Sequence, residues 1–262
     1  RHMDKLRELT CGKKMIVSVD RLDYSKGILH RLKAYEQFLV QHPEMHEQVV
    51  FTQLIVPSRD TVQQYGSLKE DIDRLVGDIN AKYGTLLWQP ICYLYRSLTP
   101  QQLSALYTAA DVAMVTPLRD GMNLVSKEYV ASKILMPGVL ILSEMAGAAQ
   151  ELTQAVIVNP NDCQEVAEAI YTSLTMPLTE QVERMKAMQR TVAKYDVHLW
   201  ANRFMSTLMK VSEAQNIFHD NVYHSDLHEF VLSDFMAVNG NKLPLGDISK
   251  RPRNLRAASV AS

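Results

Sequence analysis

The sequence lacks the features that mark secreted, membrane-spanning and zinc-ribbon proteins. Its three cysteines, Cys11, Cys92 and Cys163, are widely spaced and form no Cys-x-x-Cys pair, so neither a disulfide framework nor a zinc site is indicated. No apolar run reaches the ~18 residues of a membrane span, and no signal-peptide segment is recognised at the start. These absences predict a soluble protein of the reducing cytoplasm with no membrane partner.

An excess of charge of one sign is also lacking. Lysine and arginine number 28 against 29 aspartates and glutamates, which gives a net charge of −1. Such a balance offers no electrostatic argument for a nucleic-acid partner or for an anionic membrane surface. The composition, 47% hydrophobic and 22% charged, is typical of a globular protein with one large or two small domains.

Short apolar runs alternate with helical patterns along most of the chain. Runs typical of buried strands occupy residues 14–20, 49–56, 87–94, 111–116, 138–143 and 155–158. Helices are predicted between most of them, and two more are predicted at 179–192 and 197–211. Six strands alternating with helices predict an α/β fold with a doubly wound, parallel, Rossmann-like sheet.

Residues 116–128, TPLRDGMNLVSKE, carry the most chemical information. They follow a predicted strand, and Pro, Gly and Asn residues break regular structure before a helix that is predicted to begin at Leu124. In an open α/β sheet such a turn lies at the carboxyl edge, where free backbone N–H groups and the helix dipole favour a bound phosphate. Gly121 would let the backbone approach a ligand closely.

Two carboxylates, Asp120 and Glu128, flank this predicted helix start. Both could face one sugar nucleotide, with Asp120 at the hexose hydroxyls and Glu128 accepting hydrogen bonds from the ribose diol. The alternative is a capping aspartate and an exposed helical glutamate, and the spacing alone favours that alternative.

Two cations, Arg21 and Lys26, lie in the turn RLDYSKG after the first predicted strand. At the carboxyl edge of the sheet they could flank a diphosphate and offset the charge that develops as it leaves. Taken alone, they are better explained as solvated surface charge.

Three stretches together resemble the trehalose-6-phosphate synthase family of retaining glycosyltransferases, a GT-B family numbered 20. They are VDRLDYSKG at 19–27, RDGMNLVSKEYVA at 119–131 and GVLILSEMAGAAQEL at 138–152. The resemblance runs in order from about residue 14 to about residue 211 and corresponds to the C-terminal, donor-binding half. It implies a nucleotide-sugar-binding domain at 1–211, a partly disordered tail or linker at 212–262, and a missing N-terminal acceptor domain.

The resemblance implies transfer of glucose from UDP-glucose to glucose 6-phosphate with retention, which would yield trehalose 6-phosphate and UDP. No cofactor is implied beyond UDP-glucose as co-substrate. Alternatives are a synthase with another acceptor, such as glycerol 3-phosphate, or another donor nucleotide, a non-catalytic sugar-nucleotide-binding or regulatory module, and a sugar-nucleotide epimerase. The donor base and the oligomeric state, a homo-oligomer included, stay open.

The resemblance also implies roles for individual residues. Arg21 and Lys26 would contact the donor diphosphate, Asp120 the glucosyl group, and Arg59 the phosphate of the acceptor sugar, unless Arg59 is an ordinary surface arginine. Leu98 would lie near the nucleotide base, although a hydrophobic staple on Leu103 explains it equally well. The remaining donor-binding positions are Gly121, Met122, Asn123, Leu124, Val125, Ser126, Lys127 and Glu128.

Residues 212–262 lie beyond the resemblance and indicate no further chemistry. His219, His224 and His228 lie near carboxylates, but the order HSDLHEF lacks the H-E-x-x-H arrangement, so no metal site is predicted. The stretch that begins at Asp234 lacks the second Asp and the Gly-Thr of a sugar-phosphate phosphatase motif, so no phosphatase activity is predicted.

Overall fold

The computed structural model describes residues 12–57, 63–133, 137–195 and 197–222. The strands within them are β1 (Lys14–Arg21), β2 (Val49–Val56), β3 (Ile91–Tyr95), β4 (Val112–Val115), β5 (Val139–Ser143) and β6 (Val156–Val158). The helices are α1 (Ile28–Gln41), α2 (Gln63–Tyr83), α3 (Pro100–Ala109), α4 (Leu124–Ser132), α5 (Cys163–Thr175), α6 (Leu178–Lys194) and α7 (Val197–Val222).

The six strands form one sheet in the order β3-β2-β1-β4-β5-β6, and every described pair is parallel. The prediction of a doubly wound α/β fold is thereby confirmed. The chain builds outward in one direction from β1 to β3 and in the other from β4 to β6. Open α/β sheets bind ligands at such a reversal, outside the carboxyl ends of the strands. In this sheet the reversal lies between β1 and β4.

Side chains alternate across the sheet and divide the core in two. Ile16 of β1 belongs to a cluster on one face, where α1, α2 and α5 contribute buried residues. Met15 and Val17 belong to the cluster on the other face, which α3, α4 and α6 cover. Because both faces are buried, the strands are almost continuously apolar, which is the pattern that made them recognisable.

Two helix starts form as the sequence indicates. Thr99 caps α3 in a capping box with Gln102, and Pro100 occupies the first turn. The Asp162 carboxylate caps α5 by accepting from the backbone N–H groups of Gln164 and Glu165. Both caps are local in sequence, because each side chain accepts from backbone N–H groups no more than three residues away.

The predicted start of the third strand was wrong. β3 begins at Ile91, because the chain turns back between Thr85 and Trp88, whose backbone N–H and C=O bond at 2.8 Å. Leu87, predicted to be a buried strand residue, is almost fully exposed, whereas the Trp88 indole N–H donates to the Val49 carbonyl at 2.7 Å. Pro90, which has no N–H to donate to a neighbouring strand, then precedes β3.

Helix α7 belongs to the second of two compact units, which begins at Val197. The helix was predicted to end at 211 but continues to Val222, since no Gly or Pro interrupts it. Within it the Trp200 and Phe204 rings stack with centroids 5.6 Å apart. Among the described residues, no helix combines the length and apolarity that a membrane crossing requires. The proposed tail beyond 222 lies outside the described residues.

Candidate functional site

Two turns meet at the reversal between β1 and β4. The turn after β1 contains a 3-10 segment, Tyr24–Lys26, which Asp23 caps by accepting from the Ser25 backbone N–H at 2.8 Å. The Ser25 carbonyl accepts from Leu118 in the turn after β4 at 2.7 Å, so backbone hydrogen bonding joins the two turns. Gly27 has a positive φ of 65°, and a Cβ there would approach the Thr116 carbonyl to 2.6 Å. Only glycine therefore permits this contact.

Lys26 and Asp120 are brought together at this junction. The Lys26 ammonium lies 2.7 Å from Asp120 Oδ2, and the two side chains are 16% and 15% exposed. Asp120 also accepts from the Asn123 side-chain amide at 3.1 Å and from the Met122 N–H at 3.3 Å. Burial alone would raise the pKa of the Asp120 carboxyl, but the bonds from Lys26 and Met122 outweigh it and place that pKa below its ordinary value. The carboxylate is therefore ionised at neutral pH.

A third turn supports the Asp120 loop from the side of β5. Ala146 and Asp120 form an isolated parallel bridge, and Gly147 N–H donates to the Asp120 carbonyl at 2.9 Å. A Cβ on Gly147 would lie 2.1 Å from the Gly121 carbonyl oxygen. The small residues of this turn thus permit close backbone approach to a neighbouring element.

Asn123 begins α4 in a left-handed conformation with φ of 69°. Its side-chain oxygen accepts from the Ser126 N–H at 2.9 Å and satisfies one of the free donors of the first turn. The N–H groups of Leu124 and Val125 have no intrahelical acceptor at such a position, so they are available to an anion at the helix start. Met122 and Leu124 are exposed beside it.

Glu128 projects from the next turn of α4 and is exposed, yet it is held by a buried partner. The Tyr107 hydroxyl, from α3, donates to Glu128 Oε2 at 3.2 Å, and Tyr107 is 2% exposed. Burial, followed by the neighbouring carboxylate, raises the pKa of Tyr107, so the phenol stays protonated as a donor. Lys127, which precedes Glu128 in the chain, pairs with Glu151 at 2.6 Å. Glu128 is thus a positioned carboxylate at the same edge of the sheet.

The other predicted site residues do not all lie at the two turns. Arg21 is the last residue of β1, directly before the turn that contains Lys26, and it is exposed. Leu98 follows β3, separated from β4 by β2 and β1, and packs half-buried on the core cluster that also includes Leu103. Arg59, predicted to bind the acceptor phosphate, lies outside the described residues.

Sequence reasoning missed Arg31, although one signal was available. Arg31 lies on the apolar face of α1 at helical spacing from Ile28, Leu32 and Tyr35, where a charged side chain is unexpected. Its guanidinium donates to the Lys26 carbonyl at 3.0 Å and to the Thr116 hydroxyl at 2.9 Å, one contact in each turn. The Tyr107–Glu128 contact had no comparable signal, because its partners lie in different helices.

Within the part of the chain that the structure describes, no three His, Cys, Asp or Glu side chains are placed to hold a metal ion. Of the three histidines considered above, His219 lies in α7, and His224 and His228 lie outside the described residues.

Comparisons with known proteins point to one family. The family model for glycosyltransferase family 20 matches residues 1–210 of the chain. A bifunctional trehalose-6-phosphate synthase/phosphatase from Thermoproteus tenax is 50% identical over 213 residues, which are 81% of this chain and 29% of that protein. A trehalose-6-phosphate synthase from Citrobacter koseri is 46% identical over 198 residues, 75% of this chain and 42% of that protein.

Solved structures agree with the fold. An α,α-trehalose-phosphate synthase (UDP-forming) from Burkholderia xenovorans in complex with glucose-6-phosphate matches with a TM-score of 0.77 and 40% identity, over 80% of this chain and 46% of that one. A structure described as trehalose-6-phosphate from E. coli bound with UDP-2-fluoro glucose matches with a TM-score of 0.75 and 44% identity, over 79% and 46%. The chain spans less than half the length of each of these relatives.

Proposed function

The chain belongs to glycosyltransferase family 20, and we propose that it is the donor-binding half of a UDP-forming α,α-trehalose-phosphate synthase. The proposed enzyme transfers glucose from UDP-glucose to glucose 6-phosphate with retention of configuration. The observation that carries the proposal is the Lys26–Asp120 contact of 2.7 Å at the reversal of the sheet. It places a cation suited to a diphosphate beside a carboxylate suited to sugar hydroxyls.

Each proposed role follows from the chemistry of the group. Lys26 and Arg21 hold the donor diphosphate, and the free N–H groups of Leu124 and Val125 bind its phosphate oxygens at the start of α4. Asp120 accepts hydrogen bonds from the glucosyl hydroxyls, as an ionised carboxylate with two oxygens can. The backbone at 121–123 lies beside it and completes the sugar site.

The remaining contacts hold the nucleotide of the donor and the phosphate of the acceptor. Glu128, held by Tyr107, accepts from the ribose diol of the donor, which orients the nucleotide. Leu98 lies near the base, and Arg59 binds the phosphate of glucose 6-phosphate. The acceptor domain itself is a further part of the proposed enzyme, and the relatives' greater length supports that view.

The mechanism needs charge stabilisation more than a covalent nucleophile. As the glycosidic bond to the diphosphate breaks, negative charge grows on the leaving oxygen, and preorganised cations stabilise it more in the transition state than in the ground state. The acceptor hydroxyl attacks from the face that the leaving group departs from, and the departing phosphate takes its proton. The ionised Asp120 does not donate that proton but orients the glucose.

The relatives support the choice of substrates. One solved relative is described with glucose-6-phosphate and another with UDP-2-fluoro glucose. At 40–44% identity we transfer both ligand classes to this chain, together with the expectation that UDP-glucose is a co-substrate and that no further cofactor takes part. Location in the cytoplasm stays a prediction from the sequence.

The test is calorimetric titration of the purified chain with UDP-glucose, and with ADP-glucose and GDP-glucose in parallel. We expect saturable binding of UDP-glucose, weakened about tenfold or more in Lys26→Ala, because a charge-assisted hydrogen bond contributes ~1.5–3 kcal/mol. Lys82→Ala is the matched control, since Lys82 pairs with Glu36 on the surface, away from the turns. Equal affinity in wild type and Lys26→Ala would refute the role of Lys26.

A second candidate function is a sugar-nucleotide-binding module without turnover. It is favoured by one observation, that the chain spans 29–46% of the length of the relatives described above. A coupled assay for UDP release in the presence of glucose 6-phosphate, on a protein that includes the proposed acceptor domain, separates the two: a module binds the donor but releases no UDP.

A further inference from the structure

Arg31 is a charged residue on a helix face that is otherwise apolar. It lies on the buried face of α1 and is 1% exposed. Its neighbours on that face are the apolar side chains Ile28, Leu32 and Tyr35. A charge in such a place is costly unless it is paired and hydrogen-bonded.

All three guanidinium nitrogens donate hydrogen bonds, and their acceptors come from four segments. Nη1 donates to the Ser18 hydroxyl and the Asp20 carboxylate of β1 and approaches the Gln53 side chain of β2 at 3.4 Å. Nε donates to the Thr116 hydroxyl, directly after β4, at 2.9 Å. Nη2 donates to the Lys26 carbonyl at 3.0 Å.

Stability alone is a weak explanation for this network. Replacing a buried ion pair with apolar residues of similar volume is often neutral or stabilising. The Arg31–Asp20 pair by itself therefore gives little reason for a charge in the core. Arg31 differs from an ordinary buried ion in one contact, the hydrogen bond from Nη2 to the Lys26 carbonyl in the turn after β1.

That contact fixes the peptide unit from which Lys26 projects. The Lys26 N–H donates to the Asp23 carbonyl at 3.1 Å, and the Lys26 carbonyl accepts from Arg31. Residue 26 is thus held on both sides of its Cα, and its ammonium reaches the carboxylate of Asp120. The same guanidinium holds Thr116, where the Asp120 turn begins.

We propose that Arg31 is a positioning residue for donor binding, which holds the backbone at Lys26 so that the ammonium meets the diphosphate. This inference rests on the proposed function, because it gives Lys26 the diphosphate contact. Arg31 does not touch the donor, since it is buried beneath the turns. Its contribution to affinity is exerted through the Lys26 side chain.

Arg31→Lys separates positioning from charge. Lysine keeps a cation beside Asp20 and can still fold with that carboxylate paired. A single ammonium lacks the planar fork of guanidinium, so it cannot reach both Thr116 and the Lys26 carbonyl while bonding Asp20. The variant therefore retains the buried charge pair and loses the hold on the turn.

The experiment is a double-mutant cycle on the full chain, with UDP-glucose affinity measured by calorimetry. The proteins are wild type, Arg31→Lys, Lys26→Ala and the double variant. We expect about fivefold weaker binding in Arg31→Lys, about tenfold in Lys26→Ala, and no more than that in the double variant, because the first change acts through the removed side chain.

Tyr35→Phe is the matched control. Tyr35 lies one turn further along the same face of α1, and its hydroxyl donates to the Pro90 carbonyl at 3.1 Å, at the amino edge of β3. The variant loses a buried hydrogen bond far from the turns, so it should lower the thermal midpoint and leave UDP-glucose affinity unchanged. A merely structural role for Arg31 would make the two variants behave alike.

The outcomes are distinct. Wild-type affinity in Arg31→Lys, or losses that multiply in the double variant, would overturn this inference while the proposed function stands. Absence of UDP-glucose binding by the folded wild type would overturn the proposed function and this inference with it. If circular dichroism shows Arg31→Lys to be unfolded, Thr116→Val replaces it, and a loss of about twofold that disappears in the Lys26→Ala background is then required.

Discussion

Asp120→Asn should have opposite effects on two ligands that differ by one glucose. In the described structure the Asp120 carboxylate holds the Lys26 ammonium at 2.7 Å. To bind the Lys26 ammonium, UDP must displace it from the Asp120 carboxylate, and UDP offers no sugar hydroxyl to Asp120 in its place. UDP-glucose makes the same exchange but offers its sugar hydroxyls to Asp120. Asparagine releases the ammonium and weakens acceptance of the hydroxyls.

The expected magnitudes follow from the exposure of the pair. With side chains 16% and 15% exposed, the pair belongs near the upper end of measured surface pairs, ~1 kcal/mol, so UDP should bind about fivefold more tightly to Asp120→Asn. Loss of the charge-assisted bonds to the sugar costs ~1.5–3 kcal/mol, so UDP-glucose should bind about two- to thirtyfold more weakly.

Calorimetry with both ligands tests this reversal of preference. Asp71→Asn is the matched control, because it removes the same charge from an exposed pair with Arg74 on α2. It should leave both affinities unchanged. Weaker or unchanged UDP binding by Asp120→Asn would refute the competition between Asp120 and the diphosphate for Lys26. Unchanged UDP-glucose binding would refute the contact between Asp120 and the glucose.

The same pair should also appear in the pH dependence of stability. The pKa of Asp120 is lowered from its ordinary value of 3.8 in the folded chain. A lowered pKa means that the carboxylate stabilises the fold above the unfolded-state value, and that this contribution is lost as pH falls through the folded-state value. The difference in urea midpoint between wild type and Asp120→Asn should therefore be constant near neutral pH and shrink below about pH 4. A difference that grows on acidification would contradict the pairing.

Two further predictions concern the support of the site. Tyr107→Phe frees the Glu128 carboxylate and should weaken UDP-glucose binding about threefold, since the donor must then immobilise a mobile side chain, which costs ~0.5–1.5 kcal/mol. The loss should be absent with the 2′,3′-dideoxyribose analogue, and an equal loss with both ligands would refute the role of Glu128. Gly147→Ala places a Cβ 2.1 Å from the Gly121 carbonyl and should destabilise the chain by ~1–3 kcal/mol in urea unfolding. Gly121→Ala, whose Cβ meets nothing within 4 Å, is its control, and equal stability of the two variants would contradict the close approach.

The parts of the fold that could be predicted are those written in local sequence. The helix start at Leu124 depends on residues within one turn of each other and was placed correctly. The cap at Thr99 is equally local. The start of β3 was misplaced because an apolar run does not show whether its side chains are buried. Leu87 is exposed and Trp88 buried, and a turn within the run decides between them. The end of α7 was misplaced because it followed the end of the resemblance, whereas no helix breaker occurs there.

The parts of the site that could not be predicted are contacts between distant segments. The types of Lys26 and Asp120 indicated a diphosphate and a sugar, but their pairing depends on the register of β1 against β4 and on the bond from Leu118 to Ser25. Arg31 was visible only as a charge on an apolar helix face, which does not say what it holds. The contacts among the recognisable residues are therefore set by strand register and by hydrogen bonds between segments that are distant in sequence.

On the proposed function, the connection between Lys26 and Asp120 gives the site a preference for intact donor over product. UDP-glucose offers a partner to both groups. The cost of separating the Lys26 ammonium from the Asp120 carboxylate is therefore offset by a phosphate contact to Lys26 and by sugar hydroxyls that donate to Asp120. Once glucose has been transferred, UDP satisfies only Lys26, and the unoccupied Asp120 again attracts the ammonium across 2.7 Å. A ligand that satisfies only one member of a pair binds more weakly than one that satisfies both, because it leaves the other partly buried charge without a partner. The pair would thus help to release UDP after each transfer, and this is why the ratio of UDP to UDP-glucose affinity tells more about the site than either affinity alone.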